Sequence, residues 1–202
     1  MENVVIVSGV RTPIGSFGGA FKNVSASELG AVVIKEAVRR AGIQPDMVDE
    51  VVMGCVGQIA EDAYLARVSA IKAGLPIATT AQTVNRLCSS GLQAIVTGMA
   101  AIQTGMAEIV VAGGAENMSR YPYMTREARW GLRMGDQSFQ DVLTTVLSDP
   151  FENIHMGVTA ENVAQEFNIS REEQDRFALE SQQKAVHPPA SSATMSNRTF
   201  SL

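Results

Sequence analysis

Between residues 1 and 117 the chain alternates short β-branched runs with longer stretches of helical period. Residues 4–10 form a β-branched run, Val-Val-Ile-Val-Ser-Gly-Val, the pattern expected of a strand buried on both faces. Ser25-Ala26-Ser27-Glu28 has the form of a capping box, and Val32, Val33, Ala37 and Val38 carry a helix from it toward Gly42. The same reading predicts strands over residues 50–56, 81–87 and 109–112, with helices over 63–74 and 91–104. Strands alternating with helices at this spacing predict a layered α/β domain.

From Met118 the pattern changes. Tyr121-Pro122-Tyr123, Trp130-Gly131 and Met134-Gly135-Asp136 are turn-rich and aromatic, with no strand alternation. Two helices follow, over residues 157–167 and from the capping box Ser170-Arg171-Glu172-Glu173 to about residue 185. Residues 118–186 therefore read as an insertion or lid on the α/β core of residues 1–117. At His187-Pro188-Pro189 the helix must stop, since proline lacks the backbone donor and restricts its predecessor. Residues 187–202 are Ser/Thr-rich without apolar periodicity and read as a disordered tail.

Composition narrows the function classes. Of 202 residues, 46% are hydrophobic and 18% charged, as in a folded globular chain. The net charge of −5 argues against a phosphate-tracking nucleic-acid binder, which needs a basic excess. No run approaches the roughly 18 apolar residues of a membrane span. The N-terminal segment has no basic leader and reads as a strand, so a cytoplasmic location is expected. The two cysteines, Cys55 and Cys88, form neither a disulfide framework nor a metal-ligand spacing. Ten methionines suit adaptable apolar packing.

The chemistry concentrates at Val84-Asn85-Arg86-Leu87-Cys88-Ser89-Ser90-Gly91. A predicted buried strand runs into Cys88, and two serines and a glycine open a helix. This sets the sulfur at a helix N-terminus, where the dipole and free N–H groups favour a thiolate able to attack a thioester and carry its acyl group. A lone cysteine is ordinarily a small buried hydrophobe, and Cys55, inside Met53-Gly54-Cys55-Val56, reads that way. The strand-to-helix context separates Cys88 from that default. Gly113-Gly114 reads as a tight turn, because phosphate-loop and dinucleotide spacings are absent.

The stretch from Asn85 to Ala94 resembles the active-site block of the thiolases. Val10-Arg11-Thr12-Pro13-Ile14-Gly15-Ser16-Phe17-Gly18-Gly19 is similar to the family's N-terminal signature. Val111-Ala112-Gly113-Gly114-Ala115-Glu116-Asn117-Met118-Ser119 is similar to the turn after its fourth strand. His155-Met156-Gly157-Val158-Thr159-Ala160-Glu161-Asn162-Val163-Ala164 is similar to a loop-domain motif of acetoacetyl-CoA thiolases. The resemblance implies the N-terminal half of a layered α/β thiolase core with part of a mostly helical loop domain. It implies acyl transfer between CoA thioesters through acyl-Cys88, with coenzyme A as substrate and no other cofactor or metal. It also implies a homodimer or homotetramer, with acyl-CoA and CoA as ligands. His155, Met156 and Leu147 are carried over as substrate-binding residues, although the residue before Leu147 is Val146 where the family usually has glycine. Without their motif, His155 reads as an ordinary hydrogen-bonded histidine and the other two as core. Arg11 is given no role.

The family's catalytic histidine, in a His-Asn-Glu-Ala-Phe motif, and its second, acid/base cysteine belong to the other half. Neither is found among these 202 residues, whose only histidines are His155 and His187. The resemblance lapses after Val186, which reads as a truncated or frame-shifted end or as a short paralogue. Three functions compete on this basis. One is a thiolase-type acetyltransferase, and the second is a catalytically incompetent chain that binds CoA or self-associates. The third, a ketoacyl synthase, is disfavoured by the His-Met-Gly block and the N-terminal signature. A half of this kind is expected to leave apolar surface exposed.

Overall fold

A computed structural model describes residues 3–186; the predicted tail at 187–202 lies outside the described residues. The chain divides into two compact units, one ending at Tyr121 and the other starting at Pro122.

In the first unit three parallel strands form a sheet: β1 (Glu50–Gly54), β2 (Thr80–Val84) and β3 (Val110–Gly114), in the order β2-β1-β3. The register is even, with Val51 between Ala81 and Val111, and Gly54 between Val84 and Gly114. Helix α1 (Ala26–Ala41) precedes the sheet, α2 (Leu65–Lys72) joins β1 to β2, and α3 (Ser90–Gln103) joins β2 to β3. The crossover from β1 to β2 and that from β2 to β3 run in opposite directions across the sheet. Right-handed connection then requires their helices on opposite faces. That is the arrangement found. Val51, Met53 and Cys55 face α1 and α2 in one continuous core with Ile34, Val38 and Leu65. Gly54, like the side chains of Val110 and Ala112, faces α3. The fold is therefore a layered α/β core, as the spacing predicts.

Local chemistry explains the helix ends. The predicted capping box at α1 forms, with the Ser25 side chain accepting from the Glu28 N–H and the Glu28 carboxylate from the Ser25 N–H. Gly42 closes α1 in the left-handed conformation at φ 70°. At the other end of the sheet, Asp49 binds the entries of all three strands. Its N–H donates to the Ile109 carbonyl, its carbonyl accepts from Thr80, and its carboxylate accepts from the Glu108 and Ile109 N–H groups at 2.8 and 3.0 Å.

One expected strand is absent. Residues 4–10 have no regular structure, and Val5, Ile6 and Val7 are 72%, 82% and 73% exposed. Between this segment and the α1, α3 and β3 side chains lies an open cavity of about 870 Å³, lined by Val4, Ile34, Met53, Ile102, Val110 and others. A β-branched run records a preference for a doubly covered strand, but a strand exists only where a neighbour supplies its ladder. Here the apolar side chains of β3 and the segment are separated by that cavity.

The second unit pairs the short antiparallel strands β4 (Tyr123–Met124) and β5 (Gln140–Asp141), followed by α4 (Val142–Val146), α5 (Met156–Glu166) and α6 (Arg171–Val186). The Ser170–Glu173 capping box opens α6 as expected. Neither α5 nor α6 buries a residue fully, and Phe151, Phe167 and Phe177 are exposed. No described helix is long and apolar enough to cross a membrane.

The Asp49 ties make a test of fold stability. Hydrogen bonds from Ile109 first, and then Glu108, hold its carboxyl below the usual carboxylate range. A carboxyl depressed in the folded state adds stability above its unfolded value and loses it as pH falls through the folded one. Urea melts should therefore find Asp49→Asn less stable than the parent at about pH 6, with the gap closing toward about pH 3. A gap that widens in acid would contradict the assignment.

Candidate active site at the carboxyl ends of the strands

In open α/β sheets, ligands bind in the crevice outside the carboxyl ends of the strands. Three loops leave that edge here: residues 55–59 after β1, 85–89 after β2, and 115–117 after β3. Cys88 stands in the second loop and is exposed, immediately before Ser89, the N-cap of α3. Cys55, at the foot of the first loop, is buried.

The strand predicted to continue to Leu87 stops at Val84, because Asn85 closes a local turn. The Asn85 Oδ1 accepts from the Leu87 N–H at 2.9 Å, an Asx-turn that competes with the ladder. Leu87 is left-handed at φ 49°, a conformation that costs a branched residue about 1 kcal/mol or more. It is fixed from the other side by Ser90, whose N–H and hydroxyl both donate to the Leu87 carbonyl at 2.9 and 2.6 Å. The Ser90 hydroxyl also accepts from the Arg86 N–H at 2.8 Å. Ser90 is 4% exposed, so this bonding is dry and specific. The first turn of α3 carries no acidic side chain, which leaves the positive end of its dipole uncompensated beside Cys88.

Gly54 is what lets α3 begin there. A Cβ at Gly54 would lie 2.4 Å from the Ser90 carbonyl carbon and 2.6 Å from the Gly91 nitrogen. These are backbone atoms and have nowhere to go. The helix start thus rests directly on the β1 backbone.

Glu116, which carries no assigned role in its motif, organises the first and third loops. Its carboxylate accepts from the Val56 N–H at 2.7 Å, the Gly57 N–H at 3.1 Å and the Tyr121 hydroxyl at 3.0 Å. The Cys55 thiol lies 3.5 Å from the same oxygen as the hydroxyl. Burial, reinforced by the Glu116 charge, pushes the Cys55 thiol up to about 12 and raises the Tyr121 hydroxyl above its usual range as well. Cys55 is therefore held as an unreactive thiol. The available signal is position: a carboxylate just beyond a predicted strand, at the edge where α/β sites form.

In the second unit the residues Leu147, His155 and Met156 come together. The Met156 N–H donates to the Leu147 carbonyl at 2.9 Å, and Ser148 and His155 form an antiparallel bridge. The intervening turn is closed by Asp149, whose carboxylate accepts from the Phe151 and Glu152 N–H groups. His155 is the N-cap of α5, its Nδ1 accepting from the Gly157 N–H at 3.0 Å. One ring nitrogen is thereby committed to the helix, and Nε2 is left for other partners. Among the described residues no group of three or more His, Cys, Asp or Glu is arranged to hold a metal ion.

Comparison with known proteins gives a consistent picture. Residues 4–194 match the family model described as the thiolase N-terminal domain. The chain is 54% identical over 185 residues to the beta-ketothiolase BktB of Cupriavidus necator, across 91% of this chain and 47% of that protein. It is 51% identical over 186 residues to an acetyl-CoA acetyltransferase of the same organism, across 92% and 47%. A probable acetyl-CoA acyltransferase of Staphylococcus aureus is 48% identical over 187 residues, across 92% and 48%. Among solved structures, the acetyl-CoA acetyltransferase of Bacillus anthracis superposes with a TM-score of 0.90 at 47% identity, covering 95% of this chain and 49% of that one. The chain spans about half the length of the curated relatives it matches.

The Gly54 contact supplies a stability test. Gly54→Ala should cost about 2 kcal/mol in urea unfolding, because overpacking against backbone cannot be relieved by a rotamer change. Gly91→Ala, where a Cβ would meet nothing within 4 Å, should be neutral or stabilise by up to about 1 kcal/mol. Equal effects at the two sites would refute the seating of α3 on β1.

Proposed function

Since the chain belongs to the thiolase family, through the N-terminal domain that residues 4–194 match, we propose that it transfers acyl groups between CoA thioesters with Cys88 as the acyl carrier. The observation that carries this reading is the exposed Cys88 thiol at the start of α3, on the carboxyl edge of the parallel sheet. In the first step the Cys88 sulfur attacks the carbonyl carbon of acetyl-CoA. The carbon–sulfur bond to CoA breaks, CoA leaves with the electron pair, and it takes up the proton given up by Cys88. The acetyl group then rests on Cys88 as a thioester. The C2 carbon of a second acetyl-CoA, on losing a proton, then attacks that thioester carbonyl. The carbon–sulfur bond to Cys88 breaks, Cys88 recovers a proton, and acetoacetyl-CoA results. In the degradative direction the CoA sulfur takes the acyl group and its thiol proton passes to Cys88.

Leu147, His155 and Met156 are assigned to substrate binding, in a second unit read as part of a CoA-side loop domain. Their backbone ties, Leu147 to Met156 and Ser148 to His155, make them one local surface. Coenzyme A enters as substrate, with no further cofactor. A thiol nucleophile needs a reducing compartment, which fits the cytoplasm. The exposed apolar residues, among them Ile6, Trp130 and Phe151, support a homo-oligomeric state, dimer or tetramer.

A second reading is favoured by a specific feature. Both histidines lie after Tyr121, so the unit that carries Cys88 has no imidazole to serve as a base. On this reading the chain binds CoA or self-associates without turnover.

Intact mass before and after incubation with acetyl-CoA separates the two. The acyl-transfer reading expects one acetyl group per chain, absent in Cys88→Ser and retained in Cys55→Ser. No adduct on the unsubstituted chain would leave only the second reading.

A further inference from the structure

Leu87, the residue before the nucleophile, is one of four described non-glycine residues with positive φ. Such a turn persists only where its surroundings over-determine it. Ser90 holds one side, as described above, and Asn85 holds the other. Asn85 does more than close its own turn: its Nδ2 donates to the Val56 carbonyl at 3.3 Å, tying the loop after β2 to the loop after β1. Val56 in turn is anchored by its N–H to Glu116 Oε2, and Gly57 to Oε1. Glu116 belongs to the loop after β3, and the Tyr121 hydroxyl completes its shell. The partners of this carboxylate are therefore all uncharged donors, two peptide N–H groups, a phenol and a thiol. A carboxylate bonded in this way is directional, because each donor fixes an angle as well as a distance.

A single chain of bonds thus runs from Tyr121 through Glu116, Val56 and Asn85 to the Leu87 peptide, crossing all three loops at the carboxyl edge. It ends one residue before Cys88. We infer that Asn85 and Glu116 are positioning residues for acyl transfer, which act through Val56 to hold the Leu87 turn and so set where the Cys88 sulfur stands. This rests on the acyl-carrier reading above and deepens it. Neither residue touches the reacting atoms in this account. Their effect is on geometry, where a displacement of about 1 Å is enough to slow a reaction up to about a hundredfold.

The test follows two reactions of Cys88 on the 202-residue chain: acetylation by acetyl-CoA, which needs an aligned sulfur, and alkylation by iodoacetamide, which needs an accessible one. Asn85→Ala should slow acetylation about tenfold and leave alkylation within about twofold. Asn85→Ser should recover most of the rate, since a serine hydroxyl closes the same turn onto the N–H two residues on. The double substitution Asn85→Ala, Leu87→Gly should also recover, because glycine takes a positive φ without strain. Glu116→Gln should slow acetylation several-fold, and combining it with Asn85→Ala should add less than the product of the two, as expected of members of one chain. Buried Cys55 reports folding: its alkylation marks a variant that has opened, and the two recovering variants then carry the decision. Acetylation at the parent rate in Asn85→Ala, equal loss of alkylation in a chain whose Cys55 stays protected, or failure of both recovering variants overturns the assignment. If the parent chain takes no acetyl group at all, the acyl-carrier reading itself has failed, and that outcome is distinct from the others.

Discussion

The Gly54 backbone lies so close to the first turn of α3 that an added Cβ would sit 2.4 Å from backbone atoms that cannot move aside. Much else depends on it. With α3 seated there, Ser90 is buried and can hold the Leu87 carbonyl twice. With Leu87 held left-handed, the chain turns out of β2 within three residues instead of continuing as a strand. That turn delivers Cys88 exposed at the end of a helix dipole rather than buried in a sheet. One missing methyl group on β1 thus decides the surroundings of a thiol more than thirty residues away in sequence.

The two cysteines show how sharply the carboxyl edge of the sheet divides environments. Cys55 faces the core beneath Glu116, and burial with a nearby negative charge raises the cost of ionising it. Cys88 faces outward beside a helix terminus with no acidic side chain. The same functional group is inert in one place and available in the other. Glu116 contributes to both: it disfavours the Cys55 thiolate and fixes the loop against which Asn85 is tied.

The second unit works by different means. Its helices bury little, and its order at the candidate site comes from backbone bonds and caps around Asp149 and His155. His155 has a structural use that its motif does not reveal. Its Nδ1 caps α5, so the ring is oriented by the helix before any ligand arrives.

Helix ends, the α/β alternation and the position of Cys88 at a strand-to-helix junction were all legible in the order of residues, because capping boxes, periodicity and turn chemistry are local. Ser25 with Glu28 and Ser170 with Glu173 needed nothing beyond their neighbours. The run at residues 4–10 departs from its expected strand for the opposite reason. Its β-branched side chains state a preference, and a strand needs a partner that sequence does not supply. Glu116 and Asn85 were visible as letters within recognised motifs, yet their roles depend on three loops separated by dozens of residues converging on one edge. Local interactions are encoded within a few positions and can be read there. The seating of α3 on Gly54, and the chain of bonds behind Cys88, exist only once the sheet has brought its three carboxyl ends together.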